Sequence, residues 1–109
     1  HRGLSNLILT IDFNNMQVLG NVSDIMSIEP LSDKFHCYKW RVLVVDGHDL
    51  NALQICMNEA FASSLSPTVV ICHTVKGRGV SFMEGDASWH YEQLDERTYH
   101  RALEDLVTV

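Results

Sequence analysis

Leu7-Ile8-Leu9-Thr10-Ile11 runs without a break into Asp12-Phe13-Asn14-Asn15-Met16-Gln17-Val18-Leu19-Gly20. The first five residues are continuously apolar or β-branched, the pattern of a strand buried on both faces of a parallel sheet. Polar Asp12, Asn14 and Asn15, and then Gly20, end the strand and open a loop. A loop leaving the carboxyl end of a strand is where open α/β sheets place their ligands.

The residues after this stretch repeat the alternation. Asn21 to Ile28 is expected to carry a helical turn capped by Ser23, and Pro30 to Lys39 a second short helix closed by Trp40. Pro suits a first helical turn, and Leu31, Phe35 and Tyr38 recur at helical spacing. Arg41 to Val45 (RVLVV) is again an apolar strand, stopped by Asp46-Gly47. Asp49 is a good N-cap for a helix on which Leu50, Leu53, Met57 and Phe61 form the apolar stripe, broken by Ser63 to Pro67. Thr68 to Thr74 (TVVICHT) reads as a third buried strand. Lys76 to Asp86 holds three glycines and little periodicity, a long loop of the kind that tends to be functional. Asp95 then caps a closing helix with Tyr99, Ala102, Leu103 and Leu106 on one face.

Strand, loop, short helices, strand, helix, strand, long loop and helix is the order of an α/β fold, a parallel sheet with flanking helices joined by right-handed crossovers. Three strands make a thin sheet, so the expectation is that the sheet continues in residues outside this chain. Residues 1–109 are read as a single domain.

With 109 residues, 46% of them hydrophobic and 20% charged, the composition is that of a folded chain with no low-complexity tract. The net charge of −6 and the scatter of only eight Lys and Arg argue against a nucleic-acid surface, which draws on clustered basic side chains. No stretch approaches the length of a membrane span, and His1 to Asn6 does not resemble the start of a secretory leader. Cys37, Cys56 and Cys72 lie in apolar surroundings without CxxC spacing. They are read as buried thiols of a protein in the reducing cytoplasm.

Past the first strand, Asp12 to Gly20 offers an amide oxygen and free backbone carbonyls. Magnesium prefers such hard oxygen ligands and shares them with diphosphate oxygens. An Asn-rich turn that merely closes a strand is the competing reading. Asp46-Gly47-His48-Asp49 sets a His between two carboxylates, and reads first as a turn and an N-cap. Thr74-Val75-Lys76-Gly77-Arg78-Gly79-Val80 lacks the Gly-Lys-Ser or Gly-Lys-Thr ending of a P-loop. Its glycines permit left-handed or close backbone, and Lys76 and Arg78 are candidates to face an anion. His36, His73 and His100 have no partners at ligand spacing.

Taken together, NLILTIDFNNMQVLG, VSDIMSIEPLSDKF, VVDGHDLNAL, SPTVVICHTVKGRGVSFME and SWH resemble, in words and in order, the amino-terminal thiamine diphosphate-binding subunit or domain of transketolases. The resemblance covers nearly the whole chain. It implies thiamine diphosphate and Mg2+, or Ca2+ in its place, as cofactors. Asn14 matches the Asn whose side chain coordinates the metal, and Met16 matches the residue that gives it a backbone carbonyl. Val18 matches an apolar residue near the thiazolium ring, while Asp12 is expected to shape the loop. His90, in Ser88-Trp89-His90, matches a histidine that reaches the cofactor diphosphate and the donor substrate, making it the candidate catalytic and cofactor-binding side chain. A His suits that place because it donates a hydrogen bond to phosphate and titrates near neutral pH. A surface His beside a packing Trp is the bland alternative. The family usually follows this His with Gly, where this chain has Tyr91.

The resemblance also implies a Gly-Asp-Gly word that helps to hold the metal and a partner pyrimidine-binding domain. Neither is found in these 109 residues. The chain is therefore expected to be the downstream part of a diphosphate-binding domain, acting in a hetero-oligomer with a polypeptide that carries both. Assembled, it would support two-carbon ketol transfer between sugar phosphates. A non-catalytic scaffold or assembly subunit with the same fold is the alternative, and an α/β binding domain without thiamine a third.

Overall fold

The computed structural model describes residues 2–62 and 65–107. In chain order the elements are β1 (Ile8–Phe13), β2 (Met16–Gln17), β3 (Gly20–Asn21), α1 (Val22–Ile25), α2 (Leu31–Cys37), β4 (Arg41–Asp46), α3 (Leu50–Phe61), β5 (Thr68–His73), a 3₁₀ helix (Ala87–His90) and α4 (Glu96–Val107). They belong to two compact units, His1–Phe13 with Ile28–Thr74, and Asn14–Ser27 with Val75–Val109.

The first unit holds a three-stranded parallel sheet in the order β1-β5-β4, with α2 and α3 as its helices, so the expected α/β architecture is present. Val69, Val70 and Ile71 of the central strand are at most 2% exposed. Their β-branched side chains fit a strand paired on both sides. β1 departs from the expectation of burial on both faces, because Leu9 is 38% exposed and Thr10 and Asp12 are also open. β1 pairs only with β5 among the described residues, and an edge strand lacks the second neighbour that would cover it.

α3 starts as the sequence suggests, since Asp49 Oδ1 accepts the Asn51 and Ala52 N–H groups at 2.9 and 3.0 Å. Its core face is different. Cys56 and Ala60 are buried against Val70 and Cys72, with Leu53 and Met57 packed beside them, while Leu50 and Phe61 are 79% and 71% exposed. Spacing i, i+3, i+4, i+7 still holds, but small side chains in the stripe let the helix lie close to the sheet. The expected break at Ser63 to Pro67 lies partly outside the described residues. Helix α2, expected over Pro30 to Lys39, is shorter and ends at Cys37, and the turn that stops it closes at Trp40: Trp40 N–H donates to the Phe35 carbonyl at 3.1 Å and Lys39 N–H to that of His36 at 2.8 Å, with Lys39 at φ 62°. The Phe35 and Trp40 rings meet at 5.5 Å, completing a Schellman motif. Cys37, in the last turn of α2, is exposed, which corrects its reading as a buried thiol. Cys56 and Cys72 are buried, and burial raises both thiol pKa values.

Asp46 to Asp49 is a turn and cap. Asp46 Oδ1 accepts the His48 N–H at 2.9 Å, and Gly47 N–H donates to the His73 carbonyl at 2.8 Å. Glycine is needed there for space: a Cβ on Gly47 would collide with the Thr74 methyl and lie 3.1 Å from the His73 carbonyl oxygen.

The second unit contains a hairpin that the sequence did not announce. β2 and β3 pair antiparallel, Met16 with Asn21 and Gln17 with Gly20, so Val18 and Leu19 form its tip. α1 follows with Asn21 at its N-cap rather than Ser23, which sits inside the helix. α4 carries a reciprocal cap: Asp95 Oδ1 accepts the Thr98 N–H at 2.7 Å, and Thr98 Oγ1 accepts the Asp95 N–H at 2.9 Å. Of its expected apolar face, Ala102 is buried while Tyr99, Leu103 and Leu106 are 49%, 43% and 53% exposed. No helix among the described residues is long and apolar enough to cross a membrane.

Candidate functional site

Asn14 follows the last residue of β1, and its side chain is already at work in the loop. Asn14 Oδ1 accepts the Met16 N–H at 2.9 Å. Asn15 takes the left-handed conformation at φ 56°, which Asn tolerates better than most side chains. Its carbonyl then accepts the Val22 N–H at 2.9 Å, closing the base of the hairpin. Asn14, Met16 and Val18 are thereby placed by a local hydrogen-bonded frame rather than by an open coil.

His90 reaches its position from the other end of the unit. Asp86 Oδ1 accepts the Ser88 N–H at 2.8 Å and starts the 3₁₀ helix. That bond, with the Ser88 side chain, holds the Asp86 carboxyl below the usual carboxylate range. Trp89 packs on Phe82 at 5.3 Å between ring centres and donates its indole N–H to the Phe82 carbonyl at 2.9 Å. Phe82 in turn lies 4.8 Å under the Arg101 guanidinium, and Ser81 bonds the Asp105 carboxylate through its N–H at 2.8 Å and its hydroxyl at 2.7 Å. Trp89 is thus the anchor and the exposed His90 the side chain it presents. Tyr91 stands edge-on to the His90 ring at 4.9 Å.

The Lys76–Asp86 loop is ordered by its own turns. Gly77 has φ +75°, and a Cβ there would come within 2.6 Å of the Met83 carbonyl oxygen. Lys76 carbonyl accepts the Gly85 N–H at 2.9 Å. Arg78 is directed to Glu84 at 3.7 Å.

These pieces converge. Asn14, Met16, Gln17, Val18, Lys76, Ala87 and His90 line one cavity of about 210 Å³ in the second unit. All four of the side chains singled out from the sequence, Asn14, Met16, Val18 and His90, are on its wall. Lys76, whose role the sequence leaves open, is there too, whereas Arg78 is not on the lining. Gln17 and Ala87 escape sequence reasoning, since neither residue type nor spacing marks them. Asp12 lies outside the lining and hydrogen-bonds Thr74 through its carboxylate. A larger depression of about 440 Å³ runs along α4 beside His100, Leu103, Glu104 and Val107, but it gathers no comparable set of oxygen donors and cations.

The donor set decides what the smaller cavity suits. No group of three or more His, Cys, Asp or Glu at metal-binding spacing exists among the described residues. The oxygens at hand are the Asn14 amide and backbone carbonyls, hard ligands that suit magnesium or calcium rather than zinc or copper. Asn14 Oδ1 has two lone pairs and spends one on Met16, leaving one for a cation. Lys76 and His90 add N–H donors of the kind that meet anionic oxygens.

Residues 1–106 match the family described as transketolase, thiamine diphosphate binding domain. Among curated proteins, the chain is 33% identical over 105 residues to the 6-deoxy-6-sulfo-D-fructose transketolase subunit of Clostridium sp. (strain MSTE9), covering 96% of this chain and 38% of that protein. It is 32% identical over 103 residues to an apulose-4-phosphate transketolase subunit of Phocaeicola vulgatus, covering 94% of this chain and 37% of that one. The chain thus spans less than two-fifths of the length of these relatives. Among solved structures, transketolase from Campylobacter jejuni superposes with a TM-score of 0.87 at 28% identity, over 96% of this chain and 16% of the other. Transketolase from Pichia stipitis, at 19% identity and a TM-score of 0.72, shares the fold. The chain belongs to the transketolase thiamine diphosphate-binding domain family.

Proposed function

We propose that this chain holds the diphosphate and metal end of thiamine diphosphate in a transketolase-like transferase. The enzyme moves a two-carbon ketol unit between sugar phosphates and acts as part of a larger assembly. The observation that carries the reading is the convergence of Asn14, Met16, Val18, Lys76 and His90 on one cavity in a chain of this family.

In this reading Asn14 Oδ1 and the Met16 carbonyl are two of the metal's oxygen ligands, and the metal is Mg2+ or Ca2+. The Met16 side chain is free to vary because its backbone does the binding. Lys76 meets the diphosphate charge, Val18 gives the ring an apolar wall, and His90 donates a hydrogen bond to the diphosphate and the donor substrate. A volume of about 210 Å³ is below the usual span for whole small-molecule sites, roughly 300 Å³ and upward, and suits one end of a cofactor. When bound, the cofactor supplies the electron sink for breaking and making the carbon–carbon bond. The protein's contribution is to fix that cofactor and orient the sugar.

A polypeptide carrying the Gly-Asp-Gly segment and the pyrimidine-binding domain completes the site in this proposal. Relatives named as subunits support a hetero-oligomer. Residues 1–109 serve within it as the downstream part of a single diphosphate-binding domain. A reducing cytoplasm suits its three free cysteines.

Calorimetric titration of thiamine diphosphate with Mg2+ into the assembled complex tests the reading. Saturable, magnesium-dependent binding is expected. An assembled complex that binds no cofactor would overturn the enzyme reading and favour a scaffold.

A further inference from the structure

We infer that Asp12 and Thr74 are positioning residues for this site: their side-chain hydrogen bond clasps the two points at which the chain leaves the sheet. The inference rests on the cofactor reading above.

β1 and β5 run parallel in register, with Asp12 opposite Cys72 and Phe13 opposite His73. Parallel ladders fray at their ends, where the last groups have no further partner in the strand. Here Thr74 continues the pairing past the end of β5. Its hydroxyl donates to Asp12 Oδ1, and its N–H donates to the Phe13 carbonyl at 3.3 Å. The hydroxyl is aimed by packing, because the Thr74 methyl occupies the space that a Cβ on Gly47 would need. Gly47 is in turn tied to the His73 carbonyl at 2.8 Å. One rotamer of Thr74 therefore serves both contacts, methyl toward Gly47 and hydroxyl toward Asp12.

Asn14 and Lys76, both on the cavity wall, stand two residues beyond Asp12 and Thr74 respectively. Two residues of extended chain reach only about 7 Å, so the clasp leaves little slack in where either loop starts. The carboxylate accepts from a hydroxyl without competing for the metal, which explains an acidic residue next to the loop but off the cavity lining.

The test uses the assembled complex with Thr74→Val, Asp12→Ala, the double variant, and the conservative Thr74→Ser. Two quantities are read: affinity for thiamine diphosphate with Mg2+, and, without cofactor, hydrogen exchange at the Met16 N–H, which reports whether the Asn14 turn is intact. Each single variant is expected to weaken affinity roughly three- to tenfold, the worth of one hydrogen bond at an open position. The double variant should be no weaker than the worse single, since one interaction is lost in all three. Met16 exchange should accelerate in Thr74→Val and stay near native in Thr74→Ser. Should Thr74→Val fail to fold, Asp12→Ala at its exposed position carries the comparison. Native affinity in the single variants, or losses that multiply in the double, overturns the inference alone. A native complex that binds no cofactor overturns the functional reading and this inference with it.

Discussion

Asn14 Oδ1 and the Met16 N–H lie 2.9 Å apart, so the amide proposed as a metal ligand is also the brace of its own loop. Asn14→Ala removes both functions at once. It should weaken binding of thiamine diphosphate with Mg2+ by at least about tenfold in the assembled complex, since a ligand oxygen and the turn are lost together. Met16→Leu leaves the backbone carbonyl in place and should stay within about twofold of native, as no side-chain donor is lost. Equal losses in the two variants, measured by calorimetry, would reassign the metal role away from the Met16 carbonyl.

His90 is exposed, and its ring has the Tyr91 phenol edge-on at 4.9 Å. In the proposed role His90 meets the donor substrate as well as the diphosphate, so its loss should affect the reaction more than cofactor retention. His90→Ala is expected to lower turnover by on the order of tenfold to a hundredfold while cofactor affinity changes by less. Steady-state kinetics beside a cofactor titration separates the two. Unaltered turnover would return His90 to the role of a surface residue beside an anchoring Trp89.

Gly77 and Gly85 both have positive φ, +75° and +68°, yet only Gly77 is crowded. A Cβ at Gly77 would lie 2.6 to 2.7 Å from Met83 atoms, two of them backbone, whereas Gly85 has nothing within 4 Å. Gly85→Ala therefore costs only the left-handed strain, about 1 kcal/mol, and Gly77→Ala should cost about 2 kcal/mol more through displacement of the Met83 backbone. Denaturant unfolding of the two variants measures the difference. Equal stability would mean that the loop adapts without cost.

Much of this architecture is written in local pattern. RVLVV and TVVICH announce strands because both run apolar and β-branched up to a turn, and Asp49 and Asp95 announce helix starts because capping chemistry is local. What the sequence hides depends on neighbours. β1 reads like β5, and only strand order makes one an edge and the other the centre. The α3 stripe reads as including Leu50 and Phe61 because large apolar side chains dominate a periodicity, while Cys56 and Ala60 win burial through close approach. Cys37 reads as buried from its apolar surroundings in sequence, yet the last turn of α2 leaves it open. A hairpin with strands of two residues has too few positions to show any period. At the site, Asn14, Met16, Val18 and His90 are legible through resemblance, but their meeting on one wall is a property of the folded unit. Lys76 escapes assignment because the sequence leaves its role open, and only the fold brings it to the cavity lining.

The acid response of the second unit follows from its caps. Asp95 is held below the usual carboxylate range chiefly by the Thr98 hydroxyl, then by the Thr98 N–H. Asp105 is held down in the same way by the Ser81 hydroxyl and N–H, and Asp86 by the Ser88 N–H and side chain. Each group binds its proton more weakly folded than unfolded, so each contributes stability that is present above the unfolded carboxylate pKa. That contribution is lost as pH falls through the lower folded value. Between neutrality and roughly pH 5 these three carboxylates should therefore give no pH dependence, and below roughly pH 4 their protonation should loosen the two caps, at α4 and at the turn of residues 87–90, and the Ser81–Asp105 contact. Asp95→Ala should lower the melting temperature at neutral pH and converge on the native value in strong acid, where the native carboxyl is itself protonated. Thermal melts of both proteins across that range are the measurement. A difference that persists undiminished in strong acid would show that Asp95 acts by packing rather than through its charged, hydrogen-bonded carboxylate.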